Sequence, residues 1–336
     1  MAKLKQLIAV AALAFGVSAP AFCQSADNLD YKPAPYMFIG LQGGVQTTFT
    51  NFDQLKLITP TASVSFGAFF TPTVGARLHV NGMWNKGGIN PGDFTYNYKY
   101  PFPKAERLLD YELGYTLTSN QLRAGVNLYY MDYTDQFVQT GELSEIGEPL
   151  TTNIKDSYRM GVELTAAWDV FPLLTLEGNA ALSQNKLKDF TEMASVDWDD
   201  SFRAIHYDNA TLAFSPSAIL NGFIDFHWHG LKATWHTNFV SRQYLDNTEN
   251  RDRSLPSYSA SDLHVSYTFH LPKLYVREAI LGMNIGNIFD AHYAASGWVY
   301  SSILDDYGHP NENRYYQIGF IPMAGRTVMG HVTLKF

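Results

Sequence analysis

The sequence predicts an all-β protein, an antiparallel transmembrane β-barrel of about twelve strands set in a bacterial outer membrane. Three observations predict it. Apolar and polar residues alternate in runs of about ten. The N-terminus has the make-up of an export signal, and no later stretch reaches the ~20 apolar residues of a membrane helix. The chain closes on an alternating strand that ends in Phe336.

The N-terminus comes first. Lys3 and Lys5 form a positive n-region, Leu7 to Val17 an apolar run, and Ala21-Phe22-Cys23 offers small residues for a cut before Gln24. Residues 1–23 are therefore expected to be a signal peptide. A retained anchor helix is the alternative, and the short apolar run argues against it. Cys23 is the one cysteine, so the mature chain is expected to hold neither a disulfide framework nor a thiol nucleophile.

Composition narrows the class. Aromatic residues make up 15% of the chain and charged residues only 17%, against about a quarter in ordinary soluble domains. A net charge of -8 gives no basic patch, so nucleic acid is not expected as a partner.

The alternation supplies the strands. Tyr158, Met160, Val162, Leu164, Ala166 and Trp168 share one face, with Arg159, Glu163 and Thr165 between them. Leu174, Leu176, Ala180 and Leu182 repeat the scheme, as do Leu231, Ala233, Trp235 and Phe239, and Leu263, Val265, Tyr267 and Phe269. A soluble sandwich also alternates. Runs of about ten residues ending in Trp or Tyr favour a lipid-facing wall, with Tyr130, Trp168, Trp228 and Tyr267 suited to its aromatic girdles. In lipid every backbone polar group must be bonded, so such strands close on themselves. Short connections at Thr71-Pro72, Ser119-Asn120, Phe171-Pro172, His229-Gly230 and His270 to Glu278 alternate with long polar ones. The long ones are expected near 50–60, 86–106, 138–153, 187–208, 243–258 and 290–324. Short periplasmic turns against long extracellular loops are the usual asymmetry of such barrels.

The last strand carries Val328, Gly330, Val332, Leu334 and Phe336 on one face. Val332, Leu334 and the terminal Phe336 resemble the signal read by the barrel-assembly machinery, which is thus an expected partner beside outer-membrane lipids.

Several motifs then point to a family. Residues Glu106 to Tyr115, Asn127 to Tyr133, Ser157 to Leu164, Gln243-Tyr244-Leu245-Asp246-Asn247-Thr248, Asn284 to Asp290 and Ala324-Gly325-Arg326 stand in the order found in one kind of barrel. From about 104 to 336 the chain resembles the C-terminal barrel portion of a Bacteroidetes-type TonB-dependent receptor. Tyr36 to Gly44, Val64 to Pro72 and Val74 to Val80 resemble instead the barrel start of outer-membrane protein A-like porins. The expected organisation is a signal at 1–23, porin-like strands over 24–100 and receptor-like strands over 101–336, joined near Tyr100. The resemblance implies uptake of a scarce nutrient such as an iron-siderophore, haem or cobalamin. Receptors of this family also carry a plug domain and 22 strands. Only Gln24 to Pro35 precede the first porin-like strand here, so no plug is expected and TonB coupling is in doubt. A small passive porin is the alternative reading.

No nucleophile elbow, phosphate loop or zinc-protease motif occurs, so an enzyme is not expected, and neither is a cofactor. His227, His229 and His236 are the nearest approach to a metal cluster, although a water-lined lumen holds polar residues anyway. For the unidentified small-molecule ligand, the candidate residues are Asp246 and Arg251 in a charged loop, and Tyr300 and Tyr307 in a Tyr-rich one. Tyr300 and Tyr307 would stack on a sugar or siderophore.

Overall fold

The computed structural model describes residues 35–48, 57–71, 74–84, 104–143, 149–197, 202–270, 276–304 and 314–336. The expected signal peptide, Cys23, the junction near Tyr100 and Tyr307 lie outside them.

The strands are β1 (Tyr36–Thr48), β2 (Leu57–Thr71), β3 (Val74–Trp84), β4 (Arg107–Thr118), β5 (Leu122–Leu143), β6 (Pro149–Phe171), β7 (Leu174–Val196), β8 (Phe202–Thr211) and β9 (Ala218–Trp228). They continue as β10 (Leu231–Val240), the short pair β11 (Gln243–Tyr244) and β12 (Ser254–Leu255), then β13 (Tyr258–His270), β14 (Glu278–Gly286), β15 (Ala294–Ile303), β16 (Arg314–Pro322) and β17 (Thr327–Lys335). Among the described residues no helix is long and apolar enough to cross a membrane.

Among the described residues the wall is a twelve-strand path, β1-β2-β3-β4-β5-β6-β7-β9-β10-β13-β14-β17, antiparallel at every step. Twelve is the number expected from the alternation. An even count makes β1 and β17, the two ends of the path, run in opposite directions, as an antiparallel seam requires.

The wall's faces are inverted relative to a soluble protein. Leu41, Phe66, Leu113, Leu128, Leu164, Leu182, Ile224 and Leu281 are exposed on the outer face, Leu41 to 76%. The inner face pairs polar groups across neighbouring strands. Arg77 Nη2 lies 3.3 Å from Glu112 Oε2, Asn179 Oδ1 accepts from Asn221 Nδ2 at 2.9 Å, and His236 Nδ1 sits 3.5 Å from Asp262 Oδ2. Trp168, Trp228 and Tyr267 stand outward near the short turns, and Tyr111 and Tyr130, cross-strand partners, stand outward higher up. Tyr130 stacks on Tyr158 at 6.0 Å. Tyr158 is ten residues from Trp168 along β6. That is about 33 Å of strand, or roughly 25 Å of height at a tilt near 40°, the thickness of the apolar band.

This inversion makes a prediction. Leu164 stands between the two girdles on the outer face. Leu164→Arg should cost about 2–4 kcal/mol of folding free energy in lipid, because a charge near the bilayer midplane loses its hydration. Asn127→Arg, on the inner face beside Glu163, should cost little. Folding into lipid vesicles, followed by denaturant titration, compares the two; equal losses would reverse the assignment of faces.

Two expected loops prove to be strand. β5 runs on to Leu143, β6 begins at Pro149 and β7 reaches Val196, so residues near 138–153 and 187–208 are largely paired backbone. The sheet continues past the upper girdle, where lipid no longer enforces an apolar face. β8 and β9 act there as one interrupted wall strand, β8 on the upper part of β7 and β9 on the lower. Residues 290–324, expected as loop, hold the hairpin β15–β16. The most buried apolar cluster lies in this extension: Val138, Ile154, Leu187, Phe190, Ala210 and Leu212, with Tyr207 against it.

A candidate functional site at the long-connection end

The interrupted strand makes room for a structured mouth. Between β8 and β9 the chain turns through Phe214, whose φ is 52°, and its N–H donates to Tyr244 O at 2.9 Å. The segment Gln243–Thr248 enters this gap. Asn247, buried, accepts from Ala213 N at 2.8 Å and donates through Nδ2 to Gln139 O at 3.0 Å, joining three excursions of the chain. Leu245 and Leu255 fill the space beneath and are fully or almost fully buried.

At the centre stands Glu192 on β7, its side chain 4% exposed. Arg253 Nη1 lies 3.3 Å from Glu192 Oε1 and 2.8 Å from Asp246 Oδ2, and Arg253 Nη2 donates to Thr248 Oγ1 at 2.7 Å. Arg314 of β16 forks onto the same carboxylate, Nη1 to Oε2 at 3.1 Å and Nη2 to Oε1. Tyr207 donates its hydroxyl to Oε2 at 3.1 Å. Burial and the neighbouring Glu192 push the Tyr207 phenol up to about 12, which keeps it a donor. Burial likewise pushes the Asp246 carboxyl above the usual carboxylate range, against the pull of the Arg253 guanidinium. Two acids and two guanidinia balance in charge, as a buried ionic group must. Among the described residues the Nε atoms of Arg253 and Arg314 have no hydrogen-bond partner.

A cavity of about 210 Å³ adjoins this group, bounded in part by Gln139, Phe190, Phe214, Leu245, Trp298 and Ser301. Of the residues singled out from sequence, Asp246 lies on its wall with its carboxylate committed to Arg253. Arg251 is exposed on a 3₁₀ turn, Arg251–Arg253, and its carbonyl accepts from Ser254 Oγ at 2.5 Å. Tyr300 is half-buried on β15. Val332 and Leu334 stand exposed on the outer face of β17, followed by an exposed Phe336. Glu192, Arg253 and Arg314 were not foreseen; Arg314 lies 122 residues from Glu192, with no local pattern linking them.

The three imidazoles do not converge. His227 pairs with Lys232 across the turn, His229 occupies the turn itself with φ 52°, and His236 faces Phe223, their rings stacked at 4.4 Å. Among the described residues no group of three or more His, Cys, Asp or Glu could hold a metal ion.

A family model described as TonB dependent receptor-like, beta-barrel matches residues 26–288, more than three quarters of the chain. The chain belongs to the TonB-dependent receptor-like β-barrel family. No curated protein sequence matches it. Solved structures do match in fold. The ferric yersiniabactin uptake receptor FyuA from Yersinia pestis is 17% identical with a TM-score of 0.54, over 81% of this chain and 36% of that one. The siderophore receptor PiuA from Acinetobacter baumannii is 14% identical with a TM-score of 0.58, over 90% and 41%. The copper transporter OprC is 16% identical with a TM-score of 0.57, over 83% and 40%. The chain thus spans well under half the length of these three structures. The family match takes in both residues 36–88, read as porin-like, and most of the receptor-like portion.

Proposed function

We propose that the chain is an outer-membrane barrel serving uptake of a scarce nutrient, such as an iron-siderophore, haem or cobalamin, in a Bacteroidetes-type bacterium. The observation that carries this reading is the family match over residues 26–288, laid on a twelve-strand wall with an apolar outer band. Further support comes from FyuA and PiuA, described as a ferric yersiniabactin uptake receptor and a siderophore receptor. The short-turn end faces the periplasm and the end holding Glu192 faces outward. Residues 1–23 direct export, the strands over 24–100 are porin-like in origin, and 101–336 come from the receptor. Val332, Leu334 and Phe336 deliver the chain to the barrel-assembly machinery. Asp246, Arg251 and Tyr300 lie on the outer side, where ligand arrives, and Tyr307 remains a ligand candidate as well.

The test has two stages. Outer membranes from expressing cells are run on semi-native gels, where a band that shifts only after boiling marks a closed barrel. Deleting Phe336 should reduce that band at least about tenfold, as expected for loss of an assembly signal. Nutrient uptake is then measured with and without TonB. Uptake lost with TonB supports the proposal. Steady conductance in planar bilayers without TonB-dependent uptake would make the chain a passive porin.

A further inference from the structure

The last excursion of the chain leaves the wall. β15 and β16 emerge between β14 and β17, pair with each other, and carry Ser302 and Ile303 to lie parallel to Ser195 and Val196 of β7. Along the wall, β13, β10 and β9 separate β14 from β7. The hairpin therefore bridges three wall strands, and it is fastened at both ends.

The near fastening is a neck. Asn287 Nδ2 donates to Ala291 O at 2.8 Å and Ala324 O at 3.2 Å, and Asn287 Oδ1 accepts from Ala291 N at 2.8 Å. Asp290 Oδ1 accepts from Arg326 N at 2.8 Å, and Arg326 Nε donates to Ile288 O at 2.9 Å. The far fastening is Glu192, whose carboxylate receives donors from β8, from the Arg251–Arg253 turn and from β16. Beneath the hairpin, a Cβ built on Gly297 would stand 3.4 Å from a methyl carbon of both Leu245 and Leu255, so strand and loop are in contact.

We propose that the β15–β16 hairpin is a latched lid over the mouth of the barrel, with Glu192 as the catch and Arg314 as the bolt. The chemistry of the catch makes the fastening conditional. A neutral side chain at 192 leaves the two guanidinia, among the described residues, with Asp246 as the one acid paired to them, and an uncompensated buried charge is strongly disfavoured. Arg314 sits on the hairpin itself and reaches water by moving with it. The wall below is unaffected, because β7 is held by β6 from Leu174 to Lys188 and by β9 from Leu174 to Leu182, independently of the hairpin. Loss of one carboxylate thus leaves the far end held chiefly by the short seam of Ser302 and Ile303 against β7, and the hairpin opens there about its neck at Asn287. The lid depends only on the wall and the mouth, so it holds whatever the barrel transports.

The experiment uses the buried seam as a reporter. Ser302 is fully buried against β7 and donates to Ser195 O at 3.2 Å. In full-length protein carrying Cys23→Ser and Ser302→Cys, the rate of labelling by a charged thiol reagent is read on the heat-modifiable band, so only folded wall is scored. Glu192→Gln and, separately, Arg314→Ala should each speed labelling at least about tenfold, the mark of a local opening without global unfolding. Arg251→Gln, exposed and outside the catch, should leave the rate unchanged. If folded Glu192→Gln and Arg314→Ala proteins label as slowly as the parent, the lid is not latched there and the proposal fails. If Glu192→Gln yields no folded band, Arg314→Ala alone decides between the same two outcomes.

Discussion

Asn287→Ala should lower the stability of the barrel by about 4 kcal/mol, measured as the shift in urea unfolding from lipid vesicles. Three side-chain hydrogen bonds vanish with the amide, each worth about 1 kcal/mol net, and the partner groups Ala291 N, Ala291 O and Ala324 O are left behind. Asn287 also holds a φ of 50°, where a Cβ-bearing residue without a local polar contact costs about 1–2 kcal/mol. Asn287→Gly separates the two contributions. It should recover the conformational part, about 1 kcal/mol, and none of the hydrogen-bonding part. An alanine variant as stable as the parent would mean that the neck is not held by this side chain.

Phe190→Ala should cost about 3–5 kcal/mol, but locally. The ring is 1% exposed, packed with Leu187, Ile154 and Tyr207, above the level of the upper girdle. Its loss opens a void beside the existing cavity of about 210 Å³. That cavity's polar rim lets water in, which favours the lower end of the range. The expected signature is protease nicking within the β7–β8 extension while the heat-dependent gel shift persists. Loss of the shift together with the nicking would show wall and mouth to be one cooperative unit.

The wall was legible in the sequence because lipid enforces a rule on it. Between Trp168 and Tyr158 every second side chain meets hydrocarbon, so the period of two survives in the residues themselves. The motif Asn284 to Asp290 and the distant Ala324-Gly325-Arg326 were also legible as resemblances, and the structure gives them one physical cause: they meet at the hairpin's neck. Gln243–Thr248 is similar, since Leu245 and Asn247 are buried where β8 gives way to β9.

Above the upper girdle the rule lapses. Lys188, Asp189 and Glu192 read as part of a polar loop, yet the same residues lie in β7. Other parts of the mouth cover this stretch, so burial alternates through Phe190, Glu192 and Ala194 without an apolar–polar alternation in the sequence. Glu192 was invisible for a second reason: its partners Arg253 and Arg314 lie 61 and 122 residues away, and only the folded mouth sets them side by side. Register keeps the histidines apart. The Trp228–Leu231 turn sets Lys232 opposite His227, which leaves His236 four rungs up, against Phe223.

The ion pair between residues so distant also bears on the order of assembly. Almost every wall strand pairs with its neighbour in sequence, so the wall can zip from one hairpin to the next with small loop-closure entropy at each step. Glu192 and Arg314 close a far longer loop, and Arg314 opens β16, with only β17 after it. Low contact order in the wall and high contact order in the mouth separate the two in time. Most of the wall therefore pairs early, with its outer end still unshaped, and that end acquires its shape only when β16 and β17 are in place.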